Sequence, residues 1–453
     1  MRGERCAFGC GCGNGPHAEG KWAVVTIIPL ARNASASLRV TRSLSPAAAT
    51  IHDPMAMRRA GRELLSLALI DARNRTLRWL SAFHGARVDE PLRLEFDPPL
   101  WLVGHVAWFQ ECAIARNLRR AQGDDAAGAT MLASIEPRAD GWFDPTLGTR
   151  EQRWRDTDVA DAHLRDYLAA TLDTTLELLE RAPEDDAGLL QFRLTLANED
   201  AAAEMLAALA QAAGLGGAAT QELWPIWPSR VRRDELWFGA QHVELGTPRG
   251  GFVPDNERWA HDEPVPEFEI DAQPVQWSQY VEFIDDGGYD EPRWWSQAGW
   301  AWLERTQRRA PRYVEQTGGS VLAQRAGQLQ RVAAAQAVAH VSWHEADAWC
   351  RWASRRLPTE PEWEIAATTG ASRGFVWGDV HEWMAGRALR WSGEPPAAAP
   401  PWVGDAGGAA LRSLRVTRGA SVLTVPRLKH PKARTFCGPE HDAAFVGFRS
   451  CAL

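Results

Sequence analysis

A helical pattern of apolar and polar positions in residues 191–214 is the strongest local signal in the chain. Its apolar positions recur at helical spacing, and they are Phe192, Leu194, Leu196, Met205, Leu206 and Leu209. Asn198, Glu199, Asp200 and Glu204 place polar groups among them. The pattern predicts an amphipathic helix that buries one face and carries several charged groups close to that face.

Three earlier stretches show the same period. They are residues 58–83, 101–120 and 158–182, and Gly-, Asp- and Pro-rich residues 121–158 read as a long loop between the last two. Four helices joined by loops predict an all-α bundle, and two of its helices side by side are able to direct polar groups into one pocket.

The chain changes character after residue 214. Residues 215–238 carry Gly and Pro without a period and predict a linker, and residues 239–453 combine many Gly, Pro and Trp with short apolar runs. Thr359 and Glu362 have the spacing of a capping box at a helix start. We therefore predict an α+β protein with a bundle at residues 55–214 and a domain of low regularity at 239–453. Residues 1–54 are interpreted either as a disordered extension or as the result of a misassigned start.

Composition argues against nucleic acid and lipid bilayers as partners. The net charge is −8, with no basic run to favour nucleic acid, and no apolar run is long enough to span a bilayer. Seven scattered cysteines, three of them at Cys6, Cys10 and Cys12, favour a reduced cytoplasmic setting over a disulfide framework. The 23 Trp against 4 Tyr fit either a Trp-filled core or the binding of a trimethylammonium group.

Two segments of the bundle resemble the DinB-like domain of the ergothioneine sulfoxide synthase family, which includes selenoneine synthases. PPLWLVGHVAWFQE, residues 98–111, is similar to the first metal-ligand helix of that family and contains His105. FRLTLANEDAAAEML, residues 192–206, aligns with a His-Glu-x-x-His-x-Glu pattern whose two histidines complete a three-histidine iron(II) site. Here those two positions are Asn198 and Ala202.

The resemblance implies iron(II) as cofactor, with His105 as a ligand. Imidazole nitrogen suits iron(II), an amide oxygen is a poor substitute, and a methyl group is no ligand. A site rebuilt from His105, Glu199, Asp200 and Glu204 is chemically reasonable. Helical periodicity opposes it, because Glu199 and Asp200 lie about 100° and 200° around the helix from Asn198.

The second half resembles the formylglycine-generating-enzyme (sulfatase-modifying-factor) fold, which is related to C-type lectins and forms the C-terminal domain of the same family. The similar segments are residues 239–261, 268–303, 340–367, 416–428 and 445–453. Residues 378–384 read GDVHEWM where that family typically reads GNVWEWT, which places His381 at a Trp position.

The resemblance implies a reaction that forms a carbon–sulfur or carbon–selenium bond on hercynine, which is trimethylated histidine. The sulfur or selenium would come from a thiol or a selenosugar donor. Such chemistry needs a wall that tolerates a cation, a clamp for a carboxylate and a proton donor. Candidate walls are Trp108 and Trp383, candidate clamps are Arg427 and Arg434, and candidate donors are Tyr289 and Tyr313. Cys350 and Cys437 are interpreted as buried thiols.

Two functions remain open on the sequence. One is an iron-dependent oxidoreductase with an altered metal site that includes His105 and Glu204. The other is a catalytically silent relative that binds a betaine-like small molecule or a partner protein. Asn198 and Ala202 favour the second function.

Overall fold

The computed structural model describes residues 50–86, 95–126, 131–156, 159–216, 220–318, 320–391 and 411–453. Residues 1–49 of the predicted extension, which include Cys6, Cys10 and Cys12, lie outside this set. The described chain combines long helices in its first half with short helices and strands in its second half, which confirms the α+β prediction.

Seven helices occupy the described part of the first half. They are α1 (Pro54–Arg58), α2 (Arg62–Ala82), α3 (Pro99–Gln110), α4 (Ala139–Phe143), α5 (Arg150–Asp156), α6 (Asp161–Glu180) and α7 (Asp186–Ala212). A π-helical turn, Glu111–Ala115, continues α3, and a 3₁₀ segment follows at Arg120–Ala126. The stretch predicted to be a loop therefore contains α4 and α5, which are too short to leave a periodic signal.

The four long helices, α2, α3, α6 and α7, pack around two apolar clusters. One cluster joins Leu65 and Leu69 of α2 to Leu179 of α6 and to Leu189 and Phe192 of α7. The other cluster lies nearer the ends of α2 and α7 and also contains residues of α3, α4 and α6. Together they form the bundle core predicted from helical periodicity.

Residues of the second half complete the bundle core. Phe445 and Ala443 belong to the second cluster, and Trp224, Trp227 and Tyr313 pack against it. The C-terminal part of α7 is consequently buried against the second half, so that α7 contacts residues from both halves of the chain.

The second half is built from short, mostly antiparallel strands and four helices among its described residues; β8 and β11 pair in parallel. Its helices are α8 (Trp277–Asp285), α9 (Gln297–Thr306), α10 (Trp343–Trp352) and α11 (Glu360–Thr369). Its strands are β1 (Leu236–Phe238), β2 (Gln241–Leu245), β3 (His261–Val265), β4 (Phe268–Ile270), β5 (Val314–Gln316), β6 (Val321–Arg325), β7 (Gln328–Val332), β8 (His381–Arg387), β9 (Arg415–Gly419), β10 (Arg434–Cys437) and β11 (Val446–Gly447). The helix α11 begins with the predicted capping box of Thr359 and Glu362.

Two of the sheets contain segments that lie near candidate functional residues: strand β8 and the β6–β7 hairpin. The largest described sheet has the order β10-β9-β8-β11, in which β8 carries His381 at its first position. A second sheet has the order β5-β6-β7, and its β6–β7 hairpin turns at Ala326 and Gly327, both with positive φ. Gly327 suits such a turn because it lacks a Cβ atom. None of the described helices is long and apolar enough to cross a lipid bilayer.

Candidate functional site

His105 is fixed in the interior of the bundle by aromatic neighbours on its own helix. Its ring stacks on Trp101 at 4.9 Å between centroids and lies 5.5 Å from Trp108. Phe143 of α4 approaches closely at Gly104, where any Cβ atom would clash with the Phe143 ring. Glycine at this position therefore lets α4 reach α3 beside His105.

This packing sets the tautomer of His105. Its Nδ1 donates a hydrogen bond to the backbone carbonyl of Phe143 at 2.9 Å, so that Nε2 carries the lone pair. Burial lowers the His105 pKa to about 4, which keeps the ring neutral at physiological pH. Among the described residues, the buried Nε2 atom has no hydrogen-bond partner.

Asn198 and Ala202 lie one turn apart on the same face of α7, and both side chains are only 1% exposed. Ala202 belongs to the apolar cluster that also contains Trp101 of α3. The amide nitrogen and oxygen of Asn198 are both buried, and within the described chain neither has a hydrogen-bond partner. Because buried amides are normally paired, this amide requires a partner that is not a side chain of the described bundle.

The carboxylates next to Asn198 are engaged with arginines. Glu199 accepts from Nε of Arg73 on α2 at 2.7 Å, and the same guanidinium donates to Gln110 at 2.7 Å. Asp200 accepts two hydrogen bonds from Arg427, at 2.6 and 2.7 Å. Both pairs are buried, so a metal site rebuilt from Glu199 and Asp200 would have to break them.

Glu204 is directed towards the second half of the chain. Its carboxylate accepts from Nε2 of His381 at 2.9 Å, from the Ser421 hydroxyl and from Thr424 Oγ1 at 2.7 Å. Burial raises the pKa of Glu204, but the charge and hydrogen bonds of His381 and the two hydroxyls outweigh it and lower the pKa to about 2. Glu204 is thus an ionised contact between α7 and strand β8.

A π-helical turn follows α3 one turn after Trp108, and nothing in the sequence pattern predicts it. The Arg116 amide donates to the Glu111 carbonyl, five residues earlier, which defines the turn. The buried Glu111 carboxylate accepts from Tyr167, Ser134 and the Ile135 amide, each at 2.7 Å. π-Helical turns are often found at functional sites. Here the turn directs Glu111 to the segment that leads into α4.

Both arginines predicted to bind a substrate carboxylate bind carboxylates of the protein. Besides Asp200, Arg427 contacts Asp71 at 2.8 Å. Arg434 makes two hydrogen bonds to Glu360, at 2.6 and 2.7 Å, and its guanidinium lies 3.7 Å from the ring centre of Trp391. Their roles in substrate binding remain predictions, and the structure does not bring the two residues together at His105.

The residues predicted to form a cation-tolerant wall, and those predicted to donate a proton, lie in different parts of the structure. Trp108 is beside His105 and donates to Asp140 at 2.7 Å, whereas Trp383 is fully buried and donates to the Val341 carbonyl at 2.7 Å. Tyr289 is buried and donates to Glu345 at 2.7 Å. Tyr313 lies at the junction of the two halves, where its ring meets His340. Of these four residues, Trp108 is the one that contacts His105.

The thiols of the second half are shielded. Cys350 is buried and Cys437 is partly buried, and both are free. Burial raises the pKa of Cys437 to about 12 and that of Cys350 well above its usual value, so both stay protonated at physiological pH.

The side chains at the three positions that the resemblance predicts as iron ligands do not fit iron(II). They provide one imidazole nitrogen from His105, one amide from Asn198 and a methyl group from Ala202. Among the residues that the structure describes, no group of three His, Cys, Asp or Glu side chains is arranged to hold a metal ion. The nearby carboxylates of α7 are directed to Arg73, Arg427 and His381 instead.

Comparison with known proteins shows the family to which the chain belongs. Residues 238–399 match the family "Sulfatase-modifying factor enzyme 1-like domain". A hercynine oxygenase from Mycolicibacterium smegmatis is 29% identical over 446 residues, which cover 86% of this chain and 98% of that protein.

Two further relatives extend the match. A hercynine oxygenase from Mycolicibacterium thermoresistibile is 35% identical over 70% of this chain and 69% of its own length. A hercynine oxygenase from Mycobacterium tuberculosis is 30% identical over 85% of this chain and 98% of its own length. The alignments run through both the helical half and the second half, and the chain therefore belongs to the hercynine oxygenase family.

Proposed function

We propose that this chain is a member of the hercynine oxygenase family that binds a small betaine-type amino acid and does not hold iron. The relatives are named for hercynine, and that name supports the ligand class. The main support for this proposal comes from Asn198. Its buried amide has no hydrogen-bond partner among the described residues, and it occupies a position where the resemblance predicts an imidazole ligand.

The polar atoms of the bundle interior favour a hydrogen-bonding ligand over a metal. His105 Nε2 offers a lone pair, and the Asn198 amide offers one donor group and one acceptor. An imidazole-bearing ligand such as hercynine has one ring N–H and one ring lone pair, which complement these groups. Because unpaired buried polar atoms cost free energy, pairing them favours binding.

Calorimetric titration of the full chain with hercynine, in buffer containing a metal chelator, tests this function. We expect binding without iron and a dissociation constant about tenfold weaker in Asn198→Ala, because a buried hydrogen-bonding amide is lost. Asn74→Ala is the matched control, because Asn74 is exposed on α2. No binding of hercynine in the absence of metal would contradict the proposal.

An iron-dependent oxygenase is the second candidate function, and the orientation of His105 favours it. Metal-binding histidines commonly donate their other ring nitrogen to a backbone carbonyl, as His105 does to Phe143. Measuring oxygen consumption with hercynine and a thiol donor after iron loading separates the two functions. Turnover supports the oxygenase, whereas metal-independent binding without turnover supports the binding protein.

Restoring the two missing imidazoles provides a gain-of-function test. We expect the double variant Asn198→His/Ala202→His to retain iron through desalting, because three imidazoles suit iron(II). The single variants are the controls, and His105→Ala in the double variant should abolish the gain. Equal iron retention by the double variant and the unmodified chain would show that these positions do not limit metal binding.

A further inference from the structure

Arg325 is held in place by a side chain of α7. The Gln211 side chain donates to the Gln324 carbonyl at 2.6 Å and accepts from the Ala326 amide at 3.0 Å. It therefore binds the backbone immediately before and immediately after Arg325. The last residue of β6 is fixed against the bundle rather than free on a hairpin tip.

Uncharged side chains hold the guanidinium of Arg325 in position. Its carbon lies 4.3 Å from the ring centre of Trp227, and Nη1 donates to Gln336 Oε1 at 2.7 Å. Gln336 in turn donates to the Trp227 carbonyl at 3.2 Å. This arrangement fixes the plane of the guanidinium, and one of its five N–H donors is used within the part of the chain that the structure describes.

Arg325 differs from Arg427 and Arg434, which each bind a carboxylate through two hydrogen bonds. Within the described ranges, Gln336 is the sole side chain that accepts a hydrogen bond from Arg325, and no carboxylate forms an ion pair with it. Burial lowers its pKa to about 10, and no acid among the described residues opposes that shift. A half-buried cation without a carboxylate partner favours the binding of an anion from solution.

The surroundings of Arg325 are aromatic and include a second arginine, Arg312, which pairs with Glu95 and Asp442. Burial, followed by the charges of Arg325 and Arg312, lowers the pKa of His340 to about 3, so its ring stays neutral. The His340 ring centre is 4.8 Å from those of both Tyr313 and Phe445. Tyr313 and His340 both have positive φ, at 69° and 61°, a conformation that is costly for non-glycine residues.

A cavity of about 460 Å³ is lined by residues 308–317, which include Arg312 and Tyr313 but not Arg325. The Tyr313 carbonyl accepts from the Gln324 amide, which places the cavity wall beside the strand that ends at Arg325. Gln211 is 13 residues from Asn198, or roughly 20 Å along α7 at 1.5 Å per residue. The location is therefore separate from His105 and Asn198.

We propose that Arg325 is the anion-binding residue of a second ligand site, which takes the carboxylate of a small organic acid. The N–H groups of Arg325 that do not bind Gln336 would hold the carboxylate as a fork. Trp227, stacked on the guanidinium, keeps that fork in one orientation. The partly buried ring of Tyr313 provides apolar surface for the body of the acid.

Titration calorimetry on the full chain tests the site with two acid and amide pairs: benzoate with benzamide, and acetate with acetamide. We expect at least one acid to bind, with its amide about tenfold weaker or more, because the amide lacks the charge that pairs with Arg325. This comparison uses the unmodified protein and does not depend on the folding of any variant. Failure of both acids to bind, or equal binding of acid and amide, overturns the proposal.

Variants locate the binding site. Arg325→Gln should weaken binding of the acid about tenfold or more, and Arg325→Lys should weaken it less, because lysine keeps the charge but not the fork. Arg331→Gln, an exposed charge change on the adjacent strand β7, should leave binding unchanged. Binding of the acid by Arg325→Gln with unmodified affinity overturns the assignment. Iron retention and hercynine binding should be the same in Arg325→Gln and the unmodified chain, which distinguishes this site from the proposed function.

Discussion

The polar side chains of α7 near Asn198 each have a distinct set of partners. Three acidic residues follow Asn198 within six positions, and each has a different partner: Arg73 for Glu199, Arg427 for Asp200 and His381 for Glu204. Buried carboxylates need such partners because isolated buried charge is strongly unfavourable. Asn198 carries no charge and has no partner among the described side chains. It is therefore the residue whose hydrogen bonds a ligand is best placed to complete.

The Arg427–Asp200 pair is expected to stabilise the fold. Arg427→Met leaves Asp200 buried without its main partner, and we expect the free energy of unfolding to fall by about 3–5 kcal/mol. Arg62→Met is the matched control, because Arg62 and Glu184 form an exposed pair that contributes about 1 kcal/mol or less. Urea denaturation of both variants measures the difference. Equal losses in the two variants would contradict a structural role for Arg427.

Among the elements of the structure, the long helices were predictable and the segment between α3 and α6 was not. Helices of 20 to 27 residues carry several repeats of the apolar period, so α6 and α7 are evident from sequence. The start of α11 was also predictable, because a capping box is a local signal. By contrast, α4 has five residues and the π-helical turn has five, and neither length shows a period.

The π-helical turn is expected to hold the segment that positions α4. Glu111→Gln replaces a carboxylate that accepts three hydrogen bonds, so we expect residues 131–143 to exchange amide hydrogens about tenfold faster or more. Hydrogen-exchange mass spectrometry measures this change. Glu151→Gln on α5 is the control, because Glu151 is exposed and its carboxylate pairs with Arg155. Unchanged exchange at residues 131–143 in Glu111→Gln would contradict the expectation.

Across the whole molecule, α7 is the element shared by the two halves. The family resemblance predicted that Asn198 and Ala202 replace two histidine ligands, but it did not predict what the neighbouring acids bind. The partners of Glu199 and Asp200 are 126 and 227 residues away in sequence. Such contacts depend on tertiary packing and leave no local pattern. For the same reason, neither Gln211 nor Arg325 was recognised from sequence.

The Glu204 contact is expected to make the stability of the protein depend on pH. Its pKa is about 2 in the folded protein, against 4.5 when unperturbed. The contribution is therefore fully present above about pH 4.5 and is lost as the pH falls towards 2. We expect Glu204→Gln to be less stable than the unmodified chain at pH 6, by about 2 kcal/mol.

The difference should narrow steadily as the pH falls from 5 to 3, as measured by urea denaturation at each pH. Glu282→Gln is the control, because Glu282 is exposed on α8, and its stability should follow that of the unmodified chain at every pH. A constant difference between Glu204→Gln and the unmodified chain across this range would contradict the account.

The iron content of the unmodified protein shows whether the bundle interior holds a metal. The full chain is incubated anaerobically with excess iron(II), desalted and analysed for iron by mass spectrometry, with the Asn198→His/Ala202→His variant treated in parallel. We expect far less than one equivalent of iron in the unmodified chain and close to one in the double variant. One tightly held equivalent in the unmodified chain, lost on His105→Ala, would contradict this expectation.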